Sequence, residues 1–319
     1  MTNHDVTRIK KEKKSGFQVV IRILGLLLIV AALLLAILFM VTSNYLKGLN
    51  KDGLDLAEPV SGEPVNLLLI GTDAGLLDGG GTMPSRSDVL MLFSFDPVQH
   101  KLAIVSIPRD TLVDLPKIGY ERINAAHVFG GTELAIQMVE ELLQTSIHYY
   151  TKVNFQSFQA LVDAVGGVNY NVEMDMDYED PYDDPPLIIH LKAGEQLLDG
   201  EAAEGYVRYR SDGMGDIGRV VRQRSFMVTL AGQLLQPAML LKMPSIAAQM
   251  QPYLDTNLGM MDGLKLAVDY LRTPAAQRYT ITLPGAGQMI NGASYWIADE
   301  IDLKGIWQDY CPVIVEAIE

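Results

Sequence analysis

VNLLLIG at residues 65–71, SDVLMLFSFD at 87–96 and KLAIVSIPRD at 101–110 are three apolar runs of strand length in close succession. The first is almost unbroken and stops at Gly71, which suits a strand buried on both faces of a layered α/β domain. The other two are joined at Pro97-Val98-Gln99-His100, a turn-like segment. Downstream, helical and strand patterns alternate. Glu133–Gln144 reads as an amphipathic helix after Phe129-Gly130-Gly131, with Thr132 as its cap. Phe155–Val165 is a second helix, stopped by Gly166-Gly167. VNYNVEM from Val168 and LIIHL from Leu187 read as strands, EQLLDGEAAEGYV from Glu195 as a helix, and 219–235 as another. Residues 237–251 and 260–272 look helical, with Pro244 marking a boundary, and YTITLP from Tyr279 is a late strand. The order predicts one α/β domain over 63–319, a central mixed sheet flanked by helices.

The chain upstream differs in character. Ile23–Val41 is nineteen residues without a charge, long enough to cross a hydrocarbon layer of roughly 30 Å. Residues 1–22 hold six Lys/Arg and two acids, which places the N-terminus inside by the positive-inside rule. The expectation is a basic cytoplasmic tail (1–18), one transmembrane helix (19–42), a stalk (43–62) and an extracytoplasmic domain. A cleaved signal peptide is the competing reading, but the apolar run is long for one and no small-x-small cleavage site follows. The whole chain of 319 residues carries a formal charge of -14. Without residues 1–22, 19 basic side chains face 37 acidic ones, formally -18. Such a balance disfavours a nucleic-acid partner. A single cysteine, Cys311, excludes an intramolecular disulfide and a multi-cysteine zinc site.

The chemistry-bearing candidates sit at strand and helix ends. Asp73 follows LLLIG-Thr and Asp88 opens the next strand, so two carboxylates could share a small cation, or serve as turn and strand-end residues. There is no G-x-G-x-x-G, P-loop, G-x-S-x-G or H-E-x-x-H motif. Arginines stand out against the acidic background: Arg86, Arg109, Arg122, Arg208, Arg210, Arg219, Arg222 and Arg224. Arg208 and Arg210 are two apart, on one side of an extended segment; Arg219 and Arg222 are three apart, on one helical face. Converging arginines suit a pyrophosphate, because the guanidinium binds phosphate oxygens in pairs. Solvated helix ends paired with acids explain the same pattern. The run Glu173–Asp184, with seven carboxylates, reads as a solvated loop and lacks an EF-hand pattern.

Taken together, NLLLIGTDAG, SRSDVLML, VSIPRDTLVDLP, ERINAAHVFGG, FQSFQALVDAVGGVNYNV, HLKAGEQLLDGEAAEGYVRYRSD and DIGRVVRQR resemble the LytR-CpsA-Psr family of bacterial envelope enzymes. His127 and Ile217 stand where that family more often has aromatic residues. The resemblance implies a phosphotransferase that moves a glycopolymer, such as teichoic acid or capsule, from a polyprenyl-pyrophosphate carrier to peptidoglycan through a phosphodiester. It implies a deep apolar lipid pocket in the domain. It implies Mg²⁺, or Mn²⁺, on Asp73 and Asp88, and a pyrophosphate shell of Arg86, Arg109, Arg208, Arg210, Arg219, Arg222 and Gln223. Asp110 and Asp216 would orient that shell, Asp88 or Asp110 would accept the proton, and Arg109 and Arg210 would act on the reacting phosphate. The membrane, the lipid-linked glycan and peptidoglycan are the partners so implied. A polyprenyl-pyrophosphate hydrolase and a non-catalytic lipid- or glycan-binding regulator are the alternatives.

Overall fold

The computed structural model describes residues 40–42, 44, 49–72, 85–181, 186–210 and 215–311. Its centre is a six-stranded mixed sheet. Strands β1 (Val65–Thr72), β2 (Ser87–Asp96) and β3 (Lys101–Ile107) form an antiparallel meander. The two carboxylate-accepted N–H groups of Val98 and Gln99, both on Asp96 Oδ1, tighten the β2–β3 turn. Outside the meander come β4 (Leu112–Leu115) and β5 (Gly119–Arg122), a small hairpin, and then helix α1 (Ala125–Leu143). Strand β6 (Tyr149–Asn154) runs parallel to β1 and was not foreseen from the sequence.

Helix α2 (Phe155–Val165) follows β6 directly. It is capped at both ends by its own sequence: Asn154 accepts from Ser157 N–H at 2.8 Å, Ser157 Oγ accepts from Asn154 N–H at 2.6 Å, and Gly166 closes the helix at φ 89°. A four-strand flap comes next: β7 (Val168–Val172) pairs with β10 (Gly194–Leu198), and β8 (Met176–Asp180) with β9 (Leu187–Leu191). Half of the acidic run is therefore a hairpin strand rather than a loop. Similarly, the expected helix from Glu195 is a strand up to Leu198, and only α3 (Gly200–Arg208) is helical. Helix α4 (Gly215–Leu234) covers the sheet; α5 (Pro237–Leu240) and α6 (Met243–Met250) divide the expected 237–251 helix. Strand β11 (Asp255–Thr256) borders β6, α7 (Met260–Arg272) follows, and β12 (Arg278–Thr282) runs parallel to β3. A hairpin, β13 (Gly285–Ile290) with β14 (Ala293–Ala298), and α8 (Leu303–Tyr310) complete the described chain.

Alternation along the strands sorts the core. Leu68, Ile70, Leu90, Leu92, Val105 and Tyr150 point to the side of α1 and α8. Leu69, Met91, Ile104 and Tyr149 point the other way, toward α7 and α4. This period-two division is what a sheet covered on both faces requires.

Two parts of the expected architecture are corrected. Among the described residues no helix is long and apolar enough to cross a membrane. The expected span 19–42 lies outside the described residues except for 40–42. The longest described helix, α4, carries Arg219, Arg222 and Arg224. Membrane anchoring, the membrane as a partner and the single-pass localisation thus have no support in the structure. Nor is the described cavity at the sheet edge the deep apolar lipid pocket expected: among the described residues its walls mix charged, polar and apolar side chains. Part of the expected stalk is also integral to the domain. Leu49 is buried, its carbonyl accepts from Thr256 N–H, and Lys51 N–H donates to Asp255 Oδ1.

Candidate active site

The cavity, about 480 Å³, opens where β1 and β6 end and β2 begins. Gly71 lines it at the point where the β1–β2 register shifts, and a Cβ there would meet Val89 Cβ at 2.8 Å. Asp88 enters from β2, Asn154 from the cap of α2, Phe155 and Phe158 from α2 itself. Arg208 comes from the last residue of α3, Arg210 from just beyond it, and Arg219, Gln223 and Met227 from α4. Tyr178, Asp180 and Leu187 of the β8–β9 hairpin form the remaining wall. Three arginines against two aspartates leave the lining cationic.

Each cation is held differently. Arg219 is buried although it lines the cavity. The Arg208 guanidinium lies over the Phe155 ring at 4.5 Å and donates through Nη1 to Glu204 Oε1 at 2.7 Å. Gln223 Nε2 donates to the Val207 carbonyl at 3.3 Å. Arg109 reaches the site through Asp88, donating from Nη1 to Oδ1 at 3.0 Å, and Asn124 Nδ2 lies 3.5 Å from the same oxygen. Asp110 pairs with Arg122 at 3.4 Å and lies 3.9 Å from Arg109 Nε, one step behind the cavity.

The sequence-derived residues therefore divide. Asp88, Arg208, Arg210, Arg219 and Gln223 share the cavity, with Arg109 and Asp110 behind Asp88. Arg222 turns away: it is buried, donates through Nη2 to the Tyr209 carbonyl at 2.5 Å, and sits 3.7 Å from Glu173 Oε1. Arg86 is exposed beside Ser85, and it is not part of the cavity wall. Asp73 lies outside the described residues, as does the side chain of Asp216. The expected Arg208–Arg210 extended pair is instead a helix end and the residue after next, yet both reach the cavity. His127 Nδ1 lies 2.8 Å from the Ser85 carbonyl and 3.3 Å from the Ser85 hydroxyl. Asn154, Phe155, Glu204, Tyr178 and Asp180 were missed. The N-x-x-S start of α2 and the i,i+4 spacing of Glu204 and Arg208 were the available signals for the first three.

The expected Mg²⁺ or Mn²⁺ centre pairs Asp88 with Asp73, which lies outside the described residues. Among the described residues no three His, Cys, Asp or Glu side chains are grouped to hold a metal ion. The described lining supplies guanidinium donors from Arg208, Arg210 and Arg219 and the carboxylates of Asp88 and Asp180.

The LytR_cpsA_psr family model matches residues 42–310 of this chain. The chain belongs to the LytR-CpsA-Psr family. Within the family it is 33% identical over 249 residues to the polyisoprenyl-teichoic acid–peptidoglycan teichoic acid transferase TagU of Enterococcus faecalis, covering 77% of this chain and 78% of that protein. It is also 33% identical over 196 residues to regulatory protein MsrR of Staphylococcus aureus, covering 61% of this chain and 56% of that one. Among solved structures, Bacillus subtilis TagV superposes with a TM-score of 0.63 at 29% identity, over 75% of this chain and 92% of TagV. The functional class is therefore glycopolymer transfer or envelope regulation, as in the family.

Proposed function

We propose that this chain moves a glycopolymer from a polyprenyl-pyrophosphate carrier to a hydroxyl of peptidoglycan, forming a phosphodiester and releasing polyprenyl phosphate. The observation that carries the reading is the meeting of Arg208, Arg210, Arg219 and Asp88 in one cavity. A relative named as a teichoic acid–peptidoglycan transferase supports it. The acceptor oxygen forms a bond to the glycan-bearing phosphorus, and the bond from that phosphorus to the bridging oxygen breaks. The leaving phosphate takes the bonding pair. Charge then builds on the bridging and non-bridging oxygens, where preorganised guanidinium donors stabilise it. Asp88 accepts the hydroxyl proton, and Arg109 and Asn124 hold its carboxylate in place.

The test is transfer by the purified protein from a polyprenyl-pyrophosphate glycan to peptidoglycan. Arg219→Ala is expected to lower the rate by roughly 10²–10³-fold, with the fold intact by circular dichroism. An unchanged rate refutes the assignment. Products made without peptidoglycan separate transfer from hydrolysis, in which water takes the acceptor's place. The name of the MsrR relative favours a regulatory reading; wild-type protein that binds the carrier yet never turns it over would establish that reading instead.

A further inference from the structure

Glu204 is the carboxylate least expected at this site. It is buried, at 11% side-chain exposure, directly beside a cation that faces the cavity. A carboxylate there repels an incoming phosphate and partly neutralises Arg208, so charge alone argues against it. Its geometry gives the reason for its presence. Oε1 accepts from Arg208 Nη1 at 2.7 Å, one helical turn along α3. Oε2 accepts from Gln159 Nε2 of α2 at 2.6 Å. Phe155, at the start of α2, supplies the ring under the same guanidinium. The two helices are laced a second time where Gly200 N–H donates to Asp163 Oδ1 at 2.8 Å.

We propose that Glu204 is a positioning residue for the transfer reaction, fixing the plane and position of the Arg208 guanidinium by tying it to α2 against the Phe155 ring. This rests on the transfer reading of the cavity. An arginine immobilised before the substrate arrives loses less freedom when it binds phosphate. The hydrogen bond is what positions, and the negative charge is incidental. A glutamine at 204 keeps the acceptor for Arg208, while its amide N–H meets Gln159 turned to accept. An alanine removes both contacts.

The experiment has two arms on the full-length chain. In the first, ¹⁵N relaxation of the Arg208 Nε–H group reports its order without any reaction. Rigidity in wild type and Glu204→Gln, and its loss in Glu204→Ala, is expected; equal rigidity in all three overturns the proposal. In the second, kinetics of transfer are measured for Glu204→Ala, Glu204→Gln, Arg208→Ala and the double variant Glu204→Ala/Arg208→Ala. Glu204→Ala is expected to lower kcat at least tenfold, Glu204→Gln to stay within about threefold of wild type, and the double variant to match Arg208→Ala. A double variant that multiplies the two single losses, or a Glu204→Ala kcat like wild type, overturns it. A wild-type rate in Arg208→Ala, with the Arg208 relaxation of wild type and the Glu204 variants as expected, instead sinks the transfer role of Arg208, and positioning for transfer with it. Thermal unfolding of each variant separates these outcomes from loss of fold.

Discussion

Arg219 and Arg222 show how far a single residue's role departs from its type. Both are buried arginines on α4, three positions apart. That spacing leaves an offset of about 60° around a helix of 3.6 residues per turn. The offset is enough to send Arg219 to the cavity and Arg222 to the Tyr209 carbonyl and Glu173. Sequence spacing put both on one face and could not resolve which neighbour each would meet, because that depends on the flap and the α3–α4 connection. Their substitutions should therefore differ in kind. Arg222→Ala is expected to cost about 2–3 kcal/mol in urea unfolding, the loss of a buried charged donor. Arg219→Ala should leave a smaller stability change and a large loss of transfer. The rest of the site divides by the same logic. Asp88 and the arginines at element ends were legible as charged residues in an apolar context. Tyr178 and Asp180 were not, because the run that carries them reads as solvated until β9 pairs with it.

At the scale of elements, α2 and α3 approach each other closely. A Cβ at Gly200 would meet the Gln159 carbonyl oxygen at 2.6 Å and its Cα at 2.8 Å, backbone that cannot swing aside. Gly200→Ala is expected to destabilise by about 2 kcal/mol, the usual cost of overpacking, and to shift α3 with Arg208 on it. Gly205→Ala, one turn further along the same helix, is its control. A Cβ there touches Ile189 at 3.4 Å, ordinary contact, so helix propensity should make it neutral or stabilising by up to ~1 kcal/mol. Paired thermal unfolding measures both. Elements with strong local rules were readable from sequence: the β1–β3 meander from its apolar runs and turn, α2 from its cap and its Gly166 stop. Elements defined by pairing were less so. Strand β6 lacks a clean alternation, and β10 shares a helix-like composition with α3; only their partners, β1 and β7, identify them.

At the scale of the whole molecule, one ionic knot ties the N-terminal segment to the domain. Lys152, on β6 just before the cavity residues Val153 and Asn154, donates to Asp52 at 2.6 Å and lies 2.8 Å from Asp255 Oδ2. Thr132, just after the Gly130-Gly131 break in α1, donates to the same Asp52 carboxylate instead of capping a helix. Tyr150 Oη donates to Asp255 at 2.8 Å, and burial with that acceptor raises its phenol far above the ordinary range. Burial pushes the Asp52 carboxyl up, but hydrogen bonds from Lys152 and Thr132 outweigh it and leave the group below its usual value. Burial likewise pulls the Lys152 ammonium down, and its bonds to Asp255 and Asp52 carry it above the usual lysine value. The signs define a window. A depressed Asp52 stabilises the fold above the unfolded carboxylate range, near pH 4, and that contribution disappears as pH falls through the folded value. A raised Lys152 stabilises below the unfolded lysine value, near 10.4, and is lost as pH climbs through the folded one. The knot is therefore fully formed between roughly pH 5 and 10. With both groups partly exposed, Asp52→Asn should cost only about 1 kcal/mol in urea unfolding at pH 7. The gap between wild type and variant should narrow steadily below pH 4, where the wild-type carboxylate also takes a proton. A gap that stays constant down to pH 3 would mean that Asp52 contributes by shape and not by charge. Because the segment bonds to β6 and α1 together, the same variant should also loosen hydrogen exchange at Leu49–Lys51 before the six-stranded sheet shows any change.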